Sequence, residues 1–499
     1  MNPTGLAYGF QVCFTTQNLL AVAIGVLGGT VVGVLPGIGP VGSMAILLPF
    51  TLTLSPTAAL IMLAGIYYGA MYGGSTTSIL LNVPGEAASV ITCREGYEMA
   101  KKGRAGAALA VSAVGSFIAG TLGVVLLMLF APTLANVALS FGPPEYFAIA
   151  FLGLLCLSRI SGGPFWQSLL VLAVGMALAT VGMDSITATS RFHFGITNLL
   201  GGIETVPVVM GLYGAAEVLS VAEQAGGLPQ ITKVRFKELF PNKVEWKRSL
   251  PAMLRGSVIG LFMGLIPGPS PITSTFFSYR VEHSVSKHKE EWGHGAIEGV
   301  AGPESANNGA AASSLIPMLS LGIPFAPAAA MLLASLLIQG VQTGPLLIVE
   351  RPEVFWGVVA SMYIGNVALL ILNFPLVGVW VSILRLPQSV LLSSILLLTF
   401  LGAYSINNSL FDVLVFVIFG ILGYLARKIR FDVATLVVAI ILGPMLEKML
   451  RTSLYMSRGD PFIFVQRPIS LIILIAMVLV LIGPILWRII SKRRRMRDA

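Results

Sequence analysis

Two stretches of the chain concentrate hydroxyl, amide and glycine residues in otherwise apolar surroundings. The first, Tyr72 to Glu86, reads Tyr-Gly-Gly-Ser-Thr-Thr-Ser-Ile-Leu-Leu-Asn-Val-Pro-Gly-Glu, and the second runs from Asn307-Asn308-Gly309 to Gly322-Ile323-Pro324. Ser75, Thr76, Thr77 and Asn82 in one, and Asn307, Asn308 and Ser313 in the other, carry groups that can replace part of a hydration shell reversibly. Upstream of each lies a run in which a helix cannot continue: Pro36, Gly37, Gly39 and Pro40, then Pro267, Gly268, Ser270 and Pro271, with Thr273 just beyond. Pro84 and Pro324 mark a second break in each region. Peptide groups freed at membrane depth are tolerated where they are buried in protein or line a polar cavity, and half-helix N-termini favour carboxylates. The chemistry implied is reversible binding of an organic anion beside a cation.

The elements that must position these residues repeat. Gly25, Gly29, Gly33 and Gly37 recur at every fourth place, and adding 231 gives Gly256, Gly260, Gly264 and Gly268. On a helix each set forms a smooth stripe for close packing. Matching Gly73 to Gly309 brings Thr77 and Ser78 onto Ser313 and Ser314, with the following proline four places later in the second half. A weaker echo pairs Pro144-Glu145-Tyr146-Phe147 with Pro352-Glu353-Val354-Phe355.

With 499 residues, 56% hydrophobic and only 11% charged, at mean hydropathy +0.87, the chain is an integral membrane protein. Its fold class reads as all-α and polytopic, with roughly eleven or twelve transmembrane helices in two inverted repeats containing broken or re-entrant helices. The repeats occupy 16–222 and 252–450, separated by a cytoplasmic linker at 223–251; an extra span and a basic cytoplasmic tail fill 451–499. Orientation rests on charge: the first basic residue is Arg94, the linker carries Lys233, Arg235, Lys237, Lys243, Lys247 and Arg248, and the tail reads Lys-Arg-Arg-Arg-Met-Arg at 492–497. This puts the N-terminus outside and leaves no basic region for a cleaved signal peptide.

The net charge of +9 lies in loops and tail, so no nucleic-acid partner is expected. Cys13, Cys93 and Cys156 are too few and scattered for a disulfide framework or zinc site. His283, His288 and His294 with Glu290 and Glu291 read as a solvated loop, not a metal centre. Glu86 and Glu304 flank the proposed cavity and could hold a coupling ion or proton, whereas Glu145, Asp184, Glu204, Glu217 and Asp412 read as mostly interfacial. No nucleophile elbow, Walker loop or zinc helix is present, which argues against an enzyme and against catalytic cofactors. A membrane-embedded enzyme on a lipid-linked substrate and a passive anion channel stand as alternatives.

The run at 33–40, the stretch at 72–86, Gly-Tyr-Glu-Met-Ala at 96–100 and Gly-Pro-Glu-Ser-Ala-Asn-Asn-Gly at 302–309 resemble the large permease subunit of the tripartite tricarboxylate transporters, from about residue 16 to 450. The resemblance implies a subunit of the bacterial inner membrane that works with a small four-span membrane partner and a periplasmic solute-binding protein. It also implies uptake of organic carboxylates driven by a sodium or proton gradient. The second half departs from the family pattern. Ile266-Pro267-Gly268-Pro269-Ser270-Pro271 replaces the usual Leu-Pro-Gly-Ala-Gly, and Gly322-Ile323-Pro324-Phe325-Ala326-Pro327 replaces Gly-Ile-Pro-Gly-Ser. Proline and phenylalanine in place of glycine remove amides and flexibility there, so the substrate is expected to differ.

Overall fold

The computed structural model describes residues 5–35, 39–160, 164–184, 186–223, 240–383, 388–429, 431–479 and 481. Apart from one pair of two-residue strands, the regular structure in it is helical. Among the described residues six helices are long and apolar enough to cross a membrane, and six shorter apolar helices accompany them. The protein is therefore a multi-pass α-helical membrane protein.

Contacts divide the chain into two units, residues Met1–Asn136 with Glu204–Arg430, and Val137–Ile203 with Phe431–Ala499. The first unit contains both glycine stripes. After a short helix at Leu6–Cys13 come α1 (Thr16–Val34), α2 (Gly39–Thr51), α3 (Pro56–Leu81), α4 (Val90–Lys101) and α5 (Ala105–Ala138). Pro56 starts α3 because its missing N–H is not needed in a first turn, and Ser55 Oγ accepts from Ala58 N at 3.3 Å. The hydroxyl-rich stretch through Leu81 belongs to this one continuous helix, so the break comes only at Asn82, in left-handed conformation at φ 57°.

The corresponding helices later in the chain are α6 (Lys243–Gly264), α7 (Ser270–Val285), α8 (Glu298–Ser313), α9 (Pro327–Ile338) and α10 (Pro352–Asn373). A further helix, Leu315–Leu321, follows α8 after a turn at Ser314. The start of α6 falls at Lys243, within the stretch read as a linker, because Asn242 and Glu245 form a reciprocal capping box. The Glu, Asn, Ser and Gly residues of α8 hide it from an apolarity scan.

The stripes explain the packing. A Cβ on Gly25, Gly29 or Gly33 would strike the backbone of Met62, Ile66 or Ala70 in turn, and one on Gly256, Gly260 or Gly264 that of Gly302, Ala306 or Ala310. Both lists ascend together, so α1 lies parallel to α3 and α6 parallel to α8. The intervening α2 and α7 return the chain alongside these pairs. Adding 240 to 62, 66 and 70 gives 302, 306 and 310. The same offset carries Asn82 onto Gly322, both left-handed helix ends, and Pro84 onto Pro324. This register replaces the Gly73-to-Gly309 match and removes its four-residue discrepancy.

The long helices cross over. Gly115 and Gly123 of α5 press on Ser305 and Ala312 of α8, while Tyr72 of α3 hydrogen-bonds Asn366 of α10. Accordingly α10 takes in the second half the place that α5 takes in the first. The echo between 144–147 and 352–355 therefore joins segments with different packing, since the helix Pro143–Ile160 packs on Val433–Met456.

In the second unit, Gly175 sits 2.9 Å by its would-be Cβ from the Leu436 carbonyl. Gly182–Met183 pairs antiparallel with Ser190–Arg191, and an ion-pair cluster fastens this hairpin. Arg451 contacts Asp184 at 2.5 Å and Glu447 at 3.0 Å, and Arg191 contacts Glu447 at 2.7 Å.

Candidate functional site

α1 ends opposite Ala70 and Gly73, whereas α3 runs on to Leu81 before its chain leaves helical conformation and turns back past Gly74. A Cβ on Gly85 would lie 2.5 Å from the Gly33 carbonyl, so the two interruptions touch. In the later half the corresponding contact is a hydrogen bond, Gly268 N donating to the Phe325 carbonyl at 2.8 Å. Each half thus gathers the end of one helix and the chain returning from a second beside the starts of further helices.

Next to these breaks two carboxylates are buried. Glu304 of α8 has no exposed surface; Ser75 Oγ donates to its Oε2 at 2.6 Å and the Thr92 hydroxyl donates to Oε1. Glu86 lies over Gly74, accepting from Asn307 Nδ2 at 2.8 Å on Oε1 and from Ala88 N at 3.2 Å on Oε2. Glu304 therefore reaches Ser75 on α3, while Glu86 reaches back to Asn307, one turn beyond Glu304 on α8. Among the described residues neither carboxylate has a Lys, Arg or His within ion-pair distance. Asn307 Oδ1, also buried, has no hydrogen-bond partner.

The residues singled out from the sequence divide by their surroundings. Ser75 and Asn307 join the buried carboxylates, and Asn308 Nδ2 donates to Ser116 Oγ at 2.7 Å. Ser270 Oγ is buried without a partner at the start of α7. Thr76 is buried. Thr77 donates within its helix to the Gly74 carbonyl, Thr273 to the Ser270 carbonyl, and Ser313 to the Gly309 carbonyl. Asn82 caps α3 with its side chain exposed. Gly39 at φ 63° opens α2, and Gly268 at φ 143° lies in the gap before α7. Pro40 and Pro271 occupy first turns, whereas Pro84, Pro267 and Pro324 lie in the gaps. Pro36 and Gly37 fall outside the described residues.

Other contributors carry no motif. Tyr68, Tyr72, Asn308 and Asn366 line a cavity of about 10 Å³, near the size of one water. There Tyr72 OH donates to Asn366 Oδ1 at 2.6 Å, and the Tyr68 hydroxyl is buried without a partner. The i, i+4 spacing of the tyrosines is the one sequence signal that they share a face. Glu95, wholly buried, accepts from Tyr279 OH at 2.6 Å and from the amides of Gly293, Gly295 and Ala296 at 2.7, 2.9 and 2.9 Å.

The remaining acidic residues flagged in the sequence have partners of another kind. Glu145 accepts from Arg467 at 2.6 Å, Glu217 pairs with Arg427, and Asp412 accepts from Asn407 at 2.9 Å. His288, Glu290 and Glu291 place ligand atoms within 4.8 Å of one another, but Glu291 is engaged by Arg248 at 2.6 Å. Arg248 accordingly holds the Glu291 carboxyl below the usual range.

Parallel glycine-packed helices, interrupted together beside buried polar groups, define a polytopic membrane protein of transporter class. The chain matches the tripartite tricarboxylate transporter TctA family over residues 19–438 and belongs to it. It is 45% identical over 490 residues, 98% of this chain and 97% of the other, to a protein of Agrobacterium vitis described as an uncharacterized 52.8 kDa protein in the TAR-I ttuC' 3' region. A second Agrobacterium vitis protein, described as uncharacterized in the TAR-II ttuC' 3' region, is 47% identical over 211 residues, 42% of this chain and 87% of that one. No solved structure matches the chain.

Proposed function

We propose that this chain is the large permease subunit of an uptake system for organic di- or tricarboxylates, driven by a cation gradient and fed by a periplasmic solute-binding protein. A small four-span membrane subunit completes the assembly in the bacterial inner membrane, with the C-terminus of this chain cytoplasmic. The family supports transport by a tripartite system. The observation that carries the reading is the meeting of two interruptions in each half, Gly85 against Gly33 and Gly268 against Phe325.

Two such pairs, related by a common register, are read as inverted repeats flanking a midplane site with alternating access. Helix starts and amides there suit the carboxylates of the solute, and carbonyl ends and hydroxyls suit the cation.

Vesicles holding this chain and its small partner, given labelled citrate or a dicarboxylate and a purified binding protein, test it. Accumulation above equilibrium only with an imposed sodium or proton gradient is expected. Non-saturable equilibration would indicate a channel, and chemical conversion of the solute an enzyme.

A further inference from the structure

The buried acidic pair is chemically lopsided. Both Glu86 oxygens accept from N–H groups, of Asn307 and Ala88, and such donors cannot reverse. A proton on Glu86 would find no acceptor in either of them, so the arrangement suits the ionised carboxylate. Glu304 is held instead by the hydroxyls of Ser75 and Thr92. Hydroxyls either donate or accept, so Glu304 keeps its contacts with or without a proton. Glu86 is 7% exposed and has no basic neighbour among the described residues, a costly state for a lone anion.

An independent feature points to what offsets that charge. The amide whose nitrogen binds Glu86 presents Asn307 Oδ1 without a donor, in a residue with no exposed surface. The Asn307 Nδ2 bond brings a carboxylate and an orphaned amide oxygen together from opposing segments, and two such oxygens are the ligand chemistry of a hard cation. We propose that Glu86 and Asn307 hold one sodium ion between α8 and the segment that follows α3, with Glu304 carrying the proton that spares the pocket a second negative charge. The proposal rests on the permease reading and gives its coupling ion a place. Because the ligands come from both halves, occupancy ties the halves together.

The full-length protein in detergent, titrated with sodium chloride at constant ionic strength against choline chloride, provides the test. A saturable, sodium-specific rise in melting temperature is expected. Glu86→Gln and Asn307→Leu each weaken the apparent sodium affinity about tenfold or more. Asp184→Asn, in the other unit, leaves the sodium response intact. A wild-type protein stabilised equally by choline, or by lower pH alone, overturns the proposal, as does an unchanged sodium response in both folded variants. If a variant fails to fold, the wild-type titration still decides.

Carboxylate uptake without a sodium-specific shift discards this site and leaves the permease. A sodium shift lost in the variants, with no uptake in the complete system, discards the uptake reading and leaves the site.

Discussion

Asn82 ends α3 at φ 57°, where its counterpart Gly322 stands at φ 72°. A left-handed residue costs roughly 1–2 kcal/mol for most side chains and little for Gly or Asn. Asn82→Leu is therefore expected to lower the unfolding free energy of the purified protein in detergent by about that amount, while Asn82→Gly keeps it. Normal uptake by the glycine variant would leave the Asn82 amide no place as an ion ligand. Glu95 offers a second measurement. Glu95→Ala strands three backbone amides and the Tyr279 hydroxyl, and a loss of about 3 kcal/mol or more is expected from urea unfolding in detergent. Hydroxyl and amide clusters made Ser75 and Asn307 visible in sequence, since polar residues are conspicuous in apolar runs. Thr92, Glu95 and Asn366 were not visible. Their partners lie far away in the chain, and nothing local distinguishes a buried Glu from one at an interface.

At the scale of helices, neighbouring glycines give a sharp contrast. A Cβ on Gly29 would lie 2.5 Å from the Ile66 carbonyl, whereas one on Gly28 would meet only Leu47 Cδ1 at 3.6 Å. Gly28→Ala is expected to fold and yield protein as wild type does. Gly29→Val is expected to be recovered poorly, as judged by monodisperse yield on size-exclusion chromatography. The stripe was legible because a four-residue glycine period is a strong pattern. Its register on the partner helix was not, because what the glycines touch is backbone, and Met62, Ile66 and Ala70 share no side-chain signature with Gly302, Ala306 and Ala310. The breaks were legible from proline. The length of α3 was not, since a run of Gly, Ser and Thr reads as interrupted until packing holds it helical.

Across the whole chain, the second unit is assembled from segments distant in sequence, as when Arg191 binds Glu447 across 256 positions. Neither hydropathy nor repeats announce that grouping, because the pairing residues look like ordinary loop charges. The amides of Thr187 and Ile186 and the Arg451 guanidinium hold the Asp184 carboxyl well below the ordinary carboxylate range, the Thr187 amide foremost. A depressed folded value means stability that is complete above the unfolded value of about 3.9 and is lost as pH falls toward the folded one. Thermal melts from pH 7 down to about 2 should show an acid-labile wild type, and Asp184→Asn should be less stable at pH 7 with a flatter acid limb.

Glycine against carbonyl leaves α1 and α3, and likewise α6 and α8, few side chains at which to slip. Each couple is in effect a stiff blade whose spine is peptide on both sides. Whatever bending accompanies passage of a solute then falls to the few unwound residues at the tips. Small replacements in those joints should alter turnover speed long before they alter what is recognised.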